Sequence, residues 1–310
     1  MLHELVVREG GEPELELVLR RGRERLFERY WLPGLEAGGV GIQICPLYAA
    51  SWPRGEARER ALAQVVELER AVAANGSRVC RAVARADLDD TRLRLVLSME
   101  GVEPLLGDPD AFAEWFDRGV RSVSLTWNHP NEFAGGIDTP VDGLSDRGRT
   151  LVRRFAELGV VLDLAHASEQ TWRDVIEEGV PFSVTHAACR AVHDHRRNLA
   201  DWQLEALADA GGVLGMMALP FAVDPESPTL ARLVDHVDHA VSVMGIEHVG
   251  LGADFVDVTS ESRLALDGFY APTDYPSLLS LLRGRGYGGE RLEAITTGNW
   301  LRVLRETMPV

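Results

Sequence analysis

Short apolar, β-branched runs recur along the chain, and each is followed by a longer stretch whose apolar residues fall three and four positions apart. The runs are Leu5–Val7, Val40–Cys45, Leu93–Met99, Ser122–Trp127, Val160–Leu164, Phe182–Thr185, Gly212–Met217 and His248–Gly252. Between them lie Arg58–Ala74, Pro109–Arg118, Leu144–Leu158, Ser168–Glu178, Asp201–Ala210 and Thr229–Met244, all with helical spacing. Alternation of buried strand and amphipathic helix is the pattern of a parallel sheet built from βα units. Eight such units predict an α/β fold, a (β/α)8 TIM barrel. No linker, low-complexity tract or internal repeat divides the chain, so residues 1–310 are expected to form a single barrel domain.

Composition narrows the partners. The chain is 45% hydrophobic and 26% charged over 310 residues, which suits a soluble globular protein with a large core. Its formal charge of -16 argues against a non-specific grip on nucleic acid or anionic membranes. Cys45, Cys80 and Cys189 are odd in number and far apart, which excludes a disulfide framework and a cysteine-rich zinc knuckle, and they read as reduced core thiols. The opening residues lack a basic region followed by an apolar stretch, and nowhere do about 18 apolar residues run together. A cytoplasmic protein without a membrane partner is expected.

In a (β/α)8 barrel the active site forms where the strands end, so the residues just after each apolar run carry the chemistry. They are Glu100, then Trp127 and Asn128, His166, His186 and Asp254. Two imidazoles and two carboxylates at one mouth suit zinc or a similar divalent ion, which would activate water for attack on a carbonyl. Glu100 closes the buried run Leu-Val-Leu-Ser-Met, where a charge is costly unless paired or coordinated. Asp254 has a second reading, as the N-cap of a following helix. His193 and His195 flank Asp194 in a polar loop and are assigned to solvent.

These positions resemble the renal, or membrane, dipeptidase family, whose metallo-dependent hydrolase barrel holds two zinc ions that act on dipeptides. Ser98-Met-Glu-Gly101 resembles the segment with the bridging glutamate. Asp163-Leu-Ala-His166 and Thr185-His-Ala-Ala188 resemble the segments whose histidines bind the second metal. Arg196-Arg-Asn-Leu-Ala-Asp201 resembles the stretch whose arginine, here Arg197, holds the substrate carboxylate, and Gly250-Leu-Gly-Ala-Asp-Phe255 the one whose aspartate, here Asp254, shuttles the proton. Trp127 and Asn128 fall at the substrate pocket, and Gly298-Asn-Trp-Leu-Arg302 is similar to the family's closing helix. The resemblance also implies a homodimer.

Two departures stand out. The family's first strand ends in a His-x-Asp pair, on which Arg8-Glu-Gly-Gly-Glu12 falls, so that Gly10 replaces histidine and Glu12 replaces aspartate. Glycine has no donor atom, whereas Glu12 still offers a carboxylate. His3 cannot substitute, because seven residues of extended chain span roughly 23 Å. Trp127 stands where animal members carry histidine, and an indole is a donor only. One expectation is therefore a dipeptidase-like amide hydrolase with an incomplete binuclear site, about one zinc per chain on Glu100, His166 and His186. The alternative is a non-hydrolytic barrel that binds an amino-acid-like ligand, in specialised metabolism for example. A phosphate-binding barrel is disfavoured, because Asp254 beside Gly250-Leu-Gly252 repels phosphate.

Overall fold

The structure, a computed structural model, describes residues 27–255 and 265–310. The expected first strand, Leu5–Val7, and Glu12 lie outside the described residues.

Eight strands are present among those residues: β1 Ile42–Tyr48, β2 Val79–Arg81, β3 Leu93–Glu100, β4 Val120–Ser124, β5 Val161–Asp163, β6 Phe182–Ala187, β7 Leu214–Met216 and β8 Val249–Leu251. They form one sheet in the order β1-β3-β4-β5-β6-β7-β8, with β2 beside the first residues of β3. Each neighbouring pair is parallel. Parallel strands are covered on both faces, which is why they read as near-continuous apolar runs. The sheet curls into a (β/α)8 barrel with helices outside, and its two end strands, β1 and β8, are not paired with each other among the described residues.

Each helix follows from local chemistry. In Asp146–Leu158, Gly148, Leu151, Val152 and Phe155 are buried, the three- and four-residue spacing of one face. Ser145 caps its start by accepting from the Gly148 N–H, and Gly159 ends it at φ 72°. Ser168 and Thr229 cap Glu169–Glu178 and Leu230–Met244 in the same way. The closing helix is Asn299–Thr307, where the resemblance puts one.

The structure corrects several boundaries. The second run does not stop at Cys45, because β1 continues through Pro46 to Tyr48. The fourth run is displaced, because β4 ends at Ser124 and Leu125–Trp127 already belongs to the mouth loop. Strand β2 is too short, at three residues, to leave a periodic signal.

Candidate metal centre at the barrel mouth

Glu100 is the last residue of β3, His186 lies in β6, and His166 follows β5 by three positions. Their ligand atoms all lie within 4.8 Å of one another. His166 Nε2 is 2.8 Å from His186 Nε2, and Glu100 Oε1 is 3.2 Å and 3.6 Å from the same two atoms. Both imidazoles are buried, at 7% and 9% exposure.

The opposite ring nitrogens are also occupied. His166 Nδ1 is 2.7 Å from Asn128 Oδ1, and His186 Nδ1 is 2.9 Å from Thr185 Oγ1. Thr185 Oγ1 in turn donates to Asp163 Oδ2. An amide oxygen only accepts, and a hydroxyl that donates to a carboxylate has its lone pairs left for accepting. Both δ nitrogens are then protonated, and both ε nitrogens carry lone pairs that face each other beside a carboxylate oxygen. Such a donor set fits a divalent cation such as zinc, because a positive charge is what two facing lone pairs and a carboxylate lack. Burial, with Arg197 and His186 nearby, holds His166 well below the usual imidazole value, so it is the neutral, ligating form at neutral pH.

Asp163 is buried at 5% exposure. Burial raises its carboxyl above the ordinary value, against the opposing pull of His186 and of hydrogen bonds from Thr185 and Ala165. Asp163 and Thr185 open the two histidine motifs, and nothing in the sequence assigns either a role. The available signal was a charge inside the apolar run Val160–Leu164.

Arg197 is buried at 6% exposure, and among the described residues its side chain makes one hydrogen bond, Nη2 to the His186 carbonyl at 3.4 Å. Burial lowers its value to about 10, against the attraction of Asp254, Glu100 and Asp163, which leaves it charged at neutral pH. Trp127 is half-buried with its ring 6.0 Å from that of His166 and 5.6 Å from that of Tyr48, so it walls the mouth beside the histidines. Asp254 is exposed and left-handed at φ 58°, and with Glu100 and His186 it lines a cavity that extends to Gly38, Val40 and Trp300 but is not lined by His166, Arg197, Trp127 or Asn128. That cavity measures about 290 Å³ and is bounded by Ile42, Gln43 and Ile44 of β1 and by Leu251 of β8.

The loop histidines do not sit in solvent. His193 and His195 are half-buried and stacked at 6.2 Å, and His195 also packs on Phe221 at 5.1 Å. The physical reason is a local turn, in which His195 Nδ1 accepts the Arg197 backbone N–H at 3.2 Å.

Residues 27–310 match the family described as membrane dipeptidase, peptidase family M19. An uncharacterised protein in the pqqA 5′ region of Klebsiella pneumoniae is 29% identical over 260 residues, covering 78% of this chain and 94% of that protein. A dipeptidase of Clonostachys rogersoniana is 30% identical over 217 residues, which cover 69% of this chain and 55% of its own length. An uncharacterised dipeptidase of Schizosaccharomyces pombe is 32% identical over 222 residues, 68% of this chain and 53% of that one, so the chain spans about half the length of these dipeptidases. Among solved structures, a dipeptidase of family M19 superposes with a TM-score of 0.85 at 26% identity over 96% of each chain. A Rhodobacter sphaeroides metallopeptidase, liganded with a phosphinate mimic of the dipeptide L-Ala-D-Ala, shares the fold at a TM-score of 0.84 and 24% identity, over 94% of this chain and 96% of that one. The chain thus belongs to the membrane dipeptidase family, peptidase family M19, and shares its (β/α)8 barrel.

Proposed function

We propose that the chain, as a single barrel domain, hydrolyses the amide of a dipeptide-like substrate at a centre with one well-formed metal site, on Glu100, His166 and His186. The observation that carries this reading is the convergence of those three ligand atoms within 4.8 Å. A metal ion bound there supplies Lewis acidity to the substrate carbonyl and lowers the proton affinity of water. Arg197 fixes the substrate carboxylate through a guanidinium fork, a role supported by its charge, its burial and its single side-chain hydrogen bond among the described residues. Asp254 takes the proton from the attacking water and returns it to the leaving amine, a role supported by its place on the cavity wall. Trp127 and Asn128 shape the pocket, and Asn128 also holds His166 in its ligating tautomer. Glu12 is a further candidate ligand. Zinc is the metal proposed, because imidazole and carboxylate donors suit it.

A cytoplasmic homodimer is part of the same reading, supported by three free, buried cysteines and by the family. No helix among the described residues is long and apolar enough to cross a membrane.

The second reading, a barrel that binds an amino-acid-like ligand without hydrolysis, is favoured by Gly10 and Glu12 where the family carries His-x-Asp. Elemental analysis of the purified chain beside a His166→Ala/His186→Ala variant, followed by a dipeptide panel, separates the two. About one zinc per chain, lost in the variant together with dipeptide turnover, is the expected result. Turnover that survives in the variant overturns the hydrolytic mechanism, and metal without turnover across the panel favours the ligand-binding barrel.

A further inference from the structure

Asp163 makes three contacts that reach both imidazoles. Its Oδ1 accepts the backbone N–H of Ala165 at 2.9 Å and that of Thr185 at 2.9 Å, and its Oδ2 accepts the Thr185 hydroxyl. Ala165 immediately precedes His166, whose backbone is left-handed at φ 65°. An aspartate that accepts from the N–H two residues on closes a local turn, and here that turn delivers the chain into the uncommon conformation of His166. The Thr185 hydroxyl, oriented by Asp163, accepts the His186 Nδ1 proton at 2.9 Å.

The position of Thr185 is itself tightly determined. A β-carbon at Gly215 would lie 2.0 Å from the Thr185 carbonyl oxygen, and one at Gly252 would lie 1.9 Å from it. Only glycine at both places lets β6 approach β7 and the end of β8 this closely.

We infer that Asp163 and Thr185 are positioning residues for the metal centre, with one buried carboxylate fixing the backbone turn of His166 and, through the Thr185 hydroxyl, the tautomer of His186. This inference rests on the metal-site reading above. The polarity of the relay is its chemical content. A hydroxyl that donates to a carboxylate must accept from His186 Nδ1, which leaves Nε2 unprotonated and able to bind a metal. An asparagine at 163 reverses it. Two backbone N–H groups require an oxygen at the Oδ1 position, so the amide nitrogen takes the other place and donates to Thr185. The hydroxyl then donates to His186 Nδ1, and the proton moves to Nε2, where it blocks the ligand atom.

Zinc affinity of the full chain, measured by competition with a chromophoric chelator, tests this. Thr185→Val keeps the side-chain shape and removes the hydroxyl. It is expected to weaken zinc binding by about 10- to 100-fold, with Thr185→Ser restoring it to within a few-fold. Asp163→Asn is expected to weaken binding although the hydroxyl is present. Circular dichroism melts of each variant check the fold. The control is His166→Ala/His186→Ala. If that variant loses zinc while Thr185→Val binds like the parent, the relay is wrong and the metal site stands. If Thr185→Ser fails as badly as Thr185→Val, the hydroxyl is not the active feature and the inference is overturned. If the control binds like the parent, the metal-site reading fails and the relay falls with it. Should Thr185→Val not fold, the Asp163→Asn and Thr185→Ser pair decides alone, the inference requiring loss in the first and retention in the second.

Discussion

His236 ties helix Leu230–Met244 to the start of the loop that carries Arg197, and it can do so only while neutral. Its Nδ1 accepts the Cys189 N–H at 3.0 Å and its Nε2 donates to the Val223 carbonyl at 2.9 Å, inside a site with 0% exposure. A second proton would have to enter on Nδ1, against an N–H already pointing at it. Burial lowers the value from 6.5 to about 4, with Arg232 and His193 adding to the shift and the Val223 carbonyl and Asp235 opposing it. The unfolded chain therefore binds this proton more readily than the folded one, and stability rises with pH across the window. The contribution is complete above pH 6.5, declines as the pH falls towards 4, and the loss levels off below that. At pH 5 the unfolded imidazole is nearly all protonated and the folded one about one-tenth, a difference of about 2 kcal/mol. Urea unfolding at pH 7.5, 6 and 5 measures it, beside His236→Gln, whose amide offers one donor and one acceptor without a titrating ring. The parent should lose about 2 kcal/mol more than the variant between pH 7.5 and 5. Parallel pH dependences would falsify the assignment of this histidine as a neutral anchor.

Three further outcomes follow from the mouth. Arg197→Lys exchanges a planar fork for a point charge, so KM for a dipeptide should rise about tenfold or more while zinc content stays constant; an unchanged KM would remove Arg197 from carboxylate binding. Asp254→Asn should lower kcat by about 10²- to 10⁴-fold without loss of metal, and steady-state rates near the parent's would rule out proton transfer by Asp254. Gly252→Ala places a β-carbon 1.9 Å from the Thr185 carbonyl oxygen, so it should cost about 1–3 kcal/mol in urea unfolding and weaken zinc binding together; a variant as stable as the parent would mean that β6 and β8 are not seated as described.

The barrel was legible because a parallel strand buried on both faces leaves an unbroken apolar run, and because Asp146–Leu158 and Leu230–Met244 bury one helical face. Boundaries were less so. The run Val40–Cys45 stopped short of the strand, which continues through Pro46 to Tyr48. Chemically, Glu100, His166 and His186 stood out because polar groups at the ends of apolar runs need a reason. The partners that set their tautomers were not visible, since Asp163 and Thr185 belong to different strands and meet only after the sheet forms. His195 was misread for the opposite reason, its surroundings in sequence being polar while its ring packs on Phe221.

What sequence periodicity could not supply is the aim of the three candidate ligands, because each lies beside a departure from the regular pleat. On a strand, residues an odd number apart face opposite sides. Asp163 lines the cavity, so strict alternation would send His166, three residues on, outward. The left-handed backbone at His166 cancels that alternation. Thr185 and His186 are adjacent yet both line the cavity, and the β6–β7 register shifts between Val184 and Ala187. Glu100 follows a register shift in the β3–β4 pairing between Leu97 and Ser98. Irregularities of this kind re-aim side chains beside active sites, and a left-handed non-glycine residue costs on the order of 1–3 kcal/mol. Three separate departures thus coincide with the three side chains whose donor atoms converge. The proposed metal site would use all three, and the hydrogen bonds of Asp163 reach the segments that carry His166 and His186.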